Sequence, residues 1–173
     1  MPADITIERI IHPHVLTCAP ETLLSEAAQR MMEARCSSIL VAKDGAIVGI
    51  WTEQDALALD MSSPQTFHSP IAQHMTSPVK TIHVKTGVGE AALRFREERV
   101  RHFLAVDDNG VHKGIVTQTD VVISQGIEYY ISLREVTSVL NRRYPIIPDT
   151  APLGEAVKNM RTGQLDAIIT EYA

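Results

Sequence analysis

Hydrophobic and polar positions alternate with two periods along the chain, and together they predict the order strand, helix, strand, strand, helix. In the first half, this pattern predicts a strand at 14–18, a helix at 22–34, strands at 37–42 and 46–52 around a turn at 43–45, and a helix at 53–59. The apolar stripe that should face the core in the long helix is formed by Leu24, Ala27, Ala28, Met31 and Met32. Thr22 has the side chain of a typical helix N-cap.

The second half of the chain repeats this series. It predicts a strand at 78–82, a helix at 89–99, a strand at 102–106, a turn at 107–110, a strand at 112–117 and a helix from Gln118. Shifting the sequence by 64 positions places Glu26-Ala27-Ala28 on Glu90-Ala91-Ala92. One extra residue in the turn changes the offset to 65, which aligns the heptapeptides GIWTEQD (49–55) and GIVTQTD (114–120). The chain therefore contains one structural unit in two copies.

A third copy begins and is incomplete. With an offset of 129, Glu155-Ala156 falls on Glu26-Ala27, but no third heptapeptide follows. This pattern predicts a first repeat at 1–62, a linker at 63–73, a second repeat at 74–126, an amphipathic connecting helix at 127–143 and a partial third repeat at 144–173. Because half a repeat leaves an apolar face uncovered, we expect the chain to be a fragment of a longer protein.

Composition and charge reduce the number of possible functions. The chain has 173 residues, of which 45% are hydrophobic and 21% are charged, as in ordinary globular proteins. Its formal net charge of −5 disfavours a nucleic-acid partner, and no apolar run approaches the roughly 20 residues needed to span a membrane. The two cysteines, Cys18 and Cys36, are predicted to be small core residues, which fits a cytoplasmic location without a disulfide framework.

The chain resembles a pair of cystathionine-β-synthase (CBS) domains. The resemblance rests on the paired units, on MTSPVKTI (75–82) and GEAALRFREERVRH (89–102), and on the two heptapeptides. It implies an α/β (α+β) fold in which two β-α-β-β-α repeats pack as a pseudo-twofold pair, with their sheets in contact and two clefts between them. In this chain the partial third repeat follows the pair. In many members the clefts bind an adenosine-containing ligand: AMP, ADP, ATP, S-adenosylmethionine or NAD.

The resemblance also implies a regulatory role. CBS pairs usually regulate an attached or partner domain and are not themselves enzymes, and they commonly associate through their helices into flat homodimers. In bacterial signalling proteins such pairs often precede an output domain, for which a cyclic-di-GMP signalling domain (GGDEF or EAL) is the preferred candidate. The sequence itself shows no local catalytic motif and no Gly-rich phosphate loop, so no catalysis is predicted.

The two heptapeptides allow two interpretations. In one, Thr-x-x-Asp is a capping box that stabilises the start of a helix, and the chain is then a structural dimerisation module without a physiological ligand. In the other, the carboxylate accepts hydrogen bonds from ribose hydroxyls and the threonine holds a ribose or phosphate oxygen near a helix N-terminus. The glycine that opens each heptapeptide would allow a close backbone approach. The two interpretations are compatible, since a cap can also bind.

Basic residues distinguish the two expected clefts. Arg101 and His102 precede the middle strand of the second repeat, whereas the equivalent residues of the first repeat are Ser37 and Ser38. We therefore expect the cleft lined by Arg101 and His102 to be the better nucleotide site. The complete set of predicted ligand-binding residues is Thr17, Ser38, Gly49, Thr52, Asp55, Thr81, Arg101, His102, Gly114, Thr117 and Asp120.

Two further features are assigned ordinary roles. His12 and His14 resemble a metal-binding pair, but no carboxylate or cysteine lies at ligand spacing, so no metal site is predicted. Trp51 lies in the strand before the first heptapeptide threonine and could stack on a base, although core packing is the more frequent role of a tryptophan in a strand.

Overall fold

Two units of matching architecture account for most of the described chain. The computed structural model describes residues 5–59, 63–124, 144–163, 165 and 167–171. The first unit contains β1 (Thr17–Cys18), α1 (Leu24–Ala34), β2 (Ser38–Lys43), β3 (Ala46–Thr52) and α2 (Glu53–Leu57). After a short helix, α3 (Pro64–Phe67), the second unit contains β4 (Thr81–His83), α4 (Val88–Glu98), β5 (His102–Val106), β6 (His112–Thr117) and α5 (Gln118–Ser124). The predicted element order is confirmed in both units.

Each unit contains a three-stranded sheet whose middle strand pairs with both neighbours. β1 runs parallel to β2, with Thr17 opposite Leu40, and β4 runs parallel to β5 in the equivalent register. β3 and β6 pair antiparallel to these middle strands. The register shifts once in each antiparallel pair, after Val41 and after Ala105. Because these two positions are again 64 residues apart, the repetition extends to the irregularities of the sheets.

The long helices bury one stripe of side chains against the sheets. In α1 the residues Leu24, Ala27 and Met31 are buried, as the apolar pattern predicts. Burying a leucine or methionine side chain contributes about 1.5–3 kcal/mol. The prediction for Met32 is wrong, because this residue is 73% exposed. It follows Met31 directly, and one residue turns the helix by about 100°, which carries Met32 away from the sheet.

The predicted cap of α1 is also wrong. The helix begins at Leu24, its N-cap is Leu23 rather than Thr22, and no side chain bonds at the cap. The amide of Leu24 donates instead to the carbonyl of Ser69 (3.1 Å), and the amide of Ile71 donates to the carbonyl of Thr22 (2.8 Å). The start of α1 is therefore held by backbone from the segment that precedes the second unit.

Each unit has a core that includes a residue lying outside that unit in the sequence. Ile7 is fully buried in the core of the second unit, and its amide donates to the carbonyl of Thr86 (2.9 Å). Ile71 is fully buried in the core of the first unit. The two isoleucines are 64 positions apart, so the exchange is reciprocal. Each unit therefore contributes one buried residue to the core of the other, in addition to the contact between their sheets.

The chain crosses the opposite sheet just after each exchanged isoleucine. The amide of His12 donates to the carbonyl of Ile115 (2.8 Å), and the amide of Ile115 donates back to His12 (3.0 Å). Thr76 and Ile50 form the equivalent pair, with the same two distances. These short bridges extend each sheet by one crossing segment from the other half of the chain.

Glycines make room for the crossing segments. A Cβ atom at Gly114 would collide with the carbonyl oxygen of His12, and a Cβ atom at Gly49 would collide with the side chain of Met75. The glycine of each heptapeptide thus admits the chain's own crossing segment.

The two sheets contact each other through a small apolar cluster, as the pseudo-twofold arrangement requires. Its buried members are Leu40, Ile50 and Leu104. The partly buried residues packed against them are Val15, Ile47, Val79, Val106 and Ile115. The predicted contact between the sheets is confirmed.

A smaller strand–helix–strand element follows the pair. It contains β7 (Ile146–Pro148), α6 (Leu153–Gly163) and β8 (Ile169–Glu171), with β7 parallel to β8. These correspond to the first three elements of the repeated unit, which confirms the partial third repeat. The guanidinium of Arg161 donates to the carbonyl of Leu59, just after α2 (3.1 Å). The predicted connecting helix at 127–143 lies outside the described residues.

Replacing Gly114 with alanine should weaken the crossing of the two units. Because the added methyl group would meet backbone that is itself hydrogen-bonded, we expect a loss of about 1–3 kcal/mol in the free energy of unfolding, the usual range for overpacking. Urea unfolding followed by circular dichroism measures it. Gly89→Ala is the matched control, since no atom lies within 4 Å of a Cβ at that helical position. Equal urea midpoints for Gly114→Ala and the unaltered chain would contradict the steric argument.

Candidate functional site

A cleft between the two units, here called the first cleft, brings together residues from both heptapeptides. Its volume is about 510 Å³. Its polar lining residues are Ser37, Thr52, Glu53, Gln54, Asp55, Thr76, Lys80, Arg99, Arg101, His102, Thr117, Gln118 and Thr119. Five of the residues predicted from sequence to bind a ligand therefore lie in one cavity: Thr52, Asp55, Arg101, His102 and Thr117.

The threonine and aspartate of each heptapeptide form a reciprocal cap. Asp55 Oδ2 accepts from the amide (2.8 Å) and the hydroxyl (2.7 Å) of Thr52, and Thr52 Oγ1 accepts from the amide of Asp55 (3.3 Å). Thr117 and Asp120 repeat these three bonds with the same distances. The predicted capping box is confirmed in both copies, which leaves open whether the same residues also bind a ligand. Since α2 has only five residues, its dipole adds little to this site.

The cap uses Oδ2 of Asp55, so Oδ1 of the same carboxylate remains for a different partner. Thr76, on the crossing segment, donates to Asp55 Oδ1 at 3.3 Å. This is a long bond for a hydroxyl donor, which usually lies about 2.7–2.8 Å from its acceptor. A ligand hydroxyl could replace this contact without disturbing the cap on Oδ2.

The first cleft also carries positive charge. Its lining includes Lys80, Arg99 and Arg101 together with the carboxylates of Glu53 and Asp55. Lys80 is more than half exposed and lies 3.4 Å from Glu98, outside the cavity. Glu98 also pairs with Arg94 at 2.7 Å, so Lys80 can turn towards a bound anion without leaving this carboxylate unpaired.

His102 lies where the two clefts meet and is largely neutral at physiological pH. Burial lowers its pKa from the ordinary value of 6.5, and the neighbouring Arg101 lowers it further, while Asp120 and Asp55 oppose the shift. Its Nε2 lies 3.0 Å from the hydroxyl of Ser37. The neutral ring therefore serves as a hydrogen-bonding group, and an anion bound beside it would favour its protonated form.

The second cleft is smaller and has fewer cations. Its volume is about 280 Å³, and its polar lining residues are His12, His14, Arg35, Cys36, Ser37, Ser38, His102 and Thr117. It is related to the first cleft by the 64-residue offset, which replaces the positions of Lys80, Arg101 and His102 by Leu16, Ser37 and Ser38. The predicted difference between the clefts is thus visible in their lining residues.

The carboxylate of Asp120 has a partner that Asp55 lacks. Nε2 of His12 donates to Asp120 Oδ1 at 2.8 Å, at the position where Thr76 makes the 3.3 Å contact with Asp55. Asp55 lines the first cleft, whereas Asp120 is not among the described residues lining the second.

Other predicted residues lie away from the cavities. Thr17 and Thr81 are exposed on β1 and β4 and are not among the described residues that line either cleft. Trp51 is buried in the core of the first unit, which confirms its packing role. Cys18 is buried, but the prediction for Cys36 is wrong, because Cys36 is exposed just after the left-handed residue Arg35 that ends α1.

Metal-binding groups and membrane-spanning helices are both absent from the residues that the structure describes. Among them, no group of three or more His, Cys, Asp and Glu side chains could hold a metal ion. None of the helices in those parts of the chain is long and apolar enough to cross a bilayer.

Sequence reasoning missed Thr76, which lies on the crossing segment before β4. The signal that could have found it is the repeat itself. The 64-residue offset also relates Ile7 to Ile71 and Ile11 to Met75, so the repeated unit extends in front of its first strand. An extension of this kind indicates that the preceding segment belongs to the shared structure.

The chain belongs to the CBS domain family. The family's sequence model matches residues 7–62 and 71–125, which correspond to the two units described above. An uncharacterized protein of Methanopyrus kandleri is 28% identical over 121 residues, an alignment that covers 69% of this chain and 62% of that protein. The chain therefore spans somewhat less than two thirds of this relative.

Solved structures of CBS proteins share the fold. A Methanocaldococcus jannaschii protein described as an archaeal homologue of g-AMPK has a TM-score of 0.78 at 16% identity, over 96% of this chain and 66% of that one. CBSX2 in complex with AMP has a TM-score of 0.59 at 25% identity, over 72% and 98%. The CBS domain of a bacterial CNNM/CorC family Mg²⁺ transporter in complex with ATP has a TM-score of 0.60 at 20% identity, over 68% and 84%.

The lowered pKa of His102 predicts a loss of stability in mild acid. Below its ordinary pKa of 6.5 the ring is protonated in the unfolded chain before it is protonated in the folded one. The unfolded state then binds more protons, so the free energy of unfolding falls as the pH falls below about 6.5. We expect His102→Gln to lose less stability than the unaltered chain between pH 7.5 and 5.5, both measured by urea unfolding. Parallel losses in the two proteins would show that His102 does not contribute.

Proposed function

We propose that the chain is a regulatory module that binds an adenine nucleotide in the first cleft. The observation that carries the proposal is that one cavity between the two units is lined both by a carboxylate that can accept hydrogen bonds from hydroxyls and by cationic side chains. Asp55 and Thr52 supply oxygen atoms from the first unit, and Lys80 and Arg101 supply positive charge from the second. The AMP and ATP complexes of proteins with the same fold support this class of ligand.

The proposed roles follow from the chemistry of each side chain. Oδ1 of Asp55 accepts hydrogen bonds from ribose hydroxyls, because the cap occupies Oδ2. Lys80 and Arg101 neutralise the phosphates, and the guanidinium can bind two phosphate oxygens at once. His102 donates to a phosphate oxygen and gains a proton as the anion approaches. AMP, ADP and ATP each have the ribose hydroxyls and the terminal phosphate that these side chains would bind. S-adenosylmethionine and NAD are alternatives, and neither has a terminal phosphate.

A nucleotide in the first cleft would shift the equilibrium between different relative arrangements of the two units. Because its binding groups come from both units, it favours the arrangement in which both sets are in reach. The resulting shift is limited by the difference in affinity between the two arrangements, typically about 1–3 kcal/mol. We propose that an attached or partner output domain reads this shift, with a GGDEF or EAL domain as the preferred candidate.

A thermal-shift series with AMP, ADP, ATP, S-adenosylmethionine and NAD tests the ligand class. A ligand that binds the folded chain raises the melting temperature in proportion to the logarithm of its concentration above the dissociation constant. We expect a rise with at least one adenine nucleotide. An unchanged melting temperature with all five compounds at millimolar concentration would favour the structural dimerisation module, in which the heptapeptides serve only as helix caps.

Replacing Arg101 with alanine should weaken nucleotide binding. A hydrogen bond to a charged group contributes about 1.5–3 kcal/mol, so we expect the dissociation constant to rise about tenfold or more. Isothermal titration calorimetry with ATP measures this change. Arg30→Ala is the matched control: it removes the same charge from the exposed face of α1, where Arg30 pairs with Glu26. Equal affinities for the Arg101 and Arg30 variants would remove Arg101 from the site.

We also propose that the chain forms a homodimer through the helices of its two units. Large apolar side chains are exposed on three helices: Met32 on α1, Leu93 on α4, and Val122 and Ile123 on α5. Light scattering at micromolar concentration should report twice the mass of one chain, and Leu93→Lys combined with Ile123→Lys should shift it towards one. Val111→Lys, which changes an exposed apolar residue outside the helices, should leave the mass unaltered. A monomeric unaltered chain would contradict the proposal.

A further inference from the structure

The two crossing segments place different side chains on equivalent aspartates. Thr76 contacts Oδ1 of Asp55 at 3.3 Å, and 64 positions earlier His12 contacts Oδ1 of Asp120 at 2.8 Å. Both segments make the same pair of backbone bonds to the opposite sheet. The backbone bridge is therefore the same in the two halves, while the side chain that reaches the aspartate differs.

The histidine changes what the second aspartate can offer. Oδ2 of Asp120 is used by the cap with Thr117, and Oδ1 accepts from the imidazole of His12. Both oxygens are thus engaged within the chain, and the aspartate side chain is only 15% exposed. In the first cleft, by contrast, Asp55 remains part of the cavity lining.

We propose that His12 restricts nucleotide binding to the first cleft by occupying the oxygen of Asp120 that would otherwise accept a ribose hydroxyl. The inference rests on the proposed function for the class of ligand, and it adds which cleft is closed and by which residue. The stoichiometry that follows is one nucleotide per chain. His12 is a specificity-determining residue in this proposal, and the second cleft becomes competent when its imidazole is removed.

The fold does not require the imidazole. The bridge to Ile115 uses the backbone amide and carbonyl of His12, which any residue supplies. The side chain is 61% exposed, so it does not fill the core. Threonine at the equivalent position of the other crossing segment makes the same bridge. The remaining charged and titratable groups that line the second cleft are Arg35, His14, Cys36 and His102, and Arg35 still offers positive charge to a monophosphate.

Exchanging the two crossing residues gives a symmetric test. His12→Thr installs the side chain found in the open cleft, and Thr76→His installs the one found in the closed cleft. Each variant is titrated with AMP by isothermal calorimetry, alongside the unaltered chain, Asp55→Asn and the double variant His12→Thr/Asp120→Asn. Asparagine retains an acceptor oxygen for the helix cap. A cooperative thermal melt verifies that every protein is folded.

The expected result is one AMP per unaltered chain, with at least a tenfold loss of affinity in Asp55→Asn and in Thr76→His. His12→Thr should bind two, and the double variant should return to one. Two molecules per unaltered chain, or one molecule in both the unaltered chain and His12→Thr, would overturn the role of His12. If the unaltered chain binds none while His12→Thr binds one, the proposed function of the first cleft fails and the inference about His12 stands. If none of these proteins binds AMP, both the proposed function and the inference about His12 are overturned. If Thr76→His does not fold, the titration of His12→Thr with AMP is sufficient to test the role of His12.

Discussion

The reciprocal crossing of two backbone segments is the constraint on which the rest of this structure depends. Four hydrogen bonds, two between His12 and Ile115 and two between Thr76 and Ile50, fix each segment across the sheet of the other half. A side chain at Gly114 would collide with the crossing backbone, and a side chain at Gly49 would collide with the side chain of Met75 on the other crossing segment. The crossing places the sheets in contact, and it puts a crossing residue beside each heptapeptide aspartate. The clefts are therefore consequences of the crossing rather than gaps between independent domains.

The internal repeat made most of the fold predictable, because a duplicated pattern tests every assignment twice. The strands, the long helices and the Thr-x-x-Asp caps all follow from local pattern and spacing. Thr22 does not cap α1, because the carbonyl of Ser69 accepts from the amide at the start of the helix, and a local pattern cannot contain a partner so distant in sequence. Met32 is exposed because the buried stripe of α1 is narrower than its run of apolar residues, and Cys36 is exposed because it lies beyond the end of this helix.

The candidate site was predictable in its residue types and less so in its assembly. Thr52, Asp55, Arg101 and His102 do share one cavity. Thr17 and Thr81 do not, since strand residues alternate between faces and the first strand of each unit is only two or three residues long. Which crossing segment meets which aspartate could not be read from either repeat alone, because each cleft combines parts of both. Duplication kept the backbone frame, and the side chains facing the clefts then diverged.

The exchanged isoleucines have a consequence for how the chain is made. Ile7 leaves the ribosome long before Val84 and Phe103, which enclose it in the second core. Until the later residues emerge, this side chain has no native surroundings, and closing so long a loop is entropically unfavourable. Ile71 completes the first core only after that entire unit has been synthesised. Folding of the pair is therefore coupled to the completion of translation through residue 116 or beyond. A gene segment encoding a single repeat would produce a core that lacks the isoleucine contributed by the other repeat.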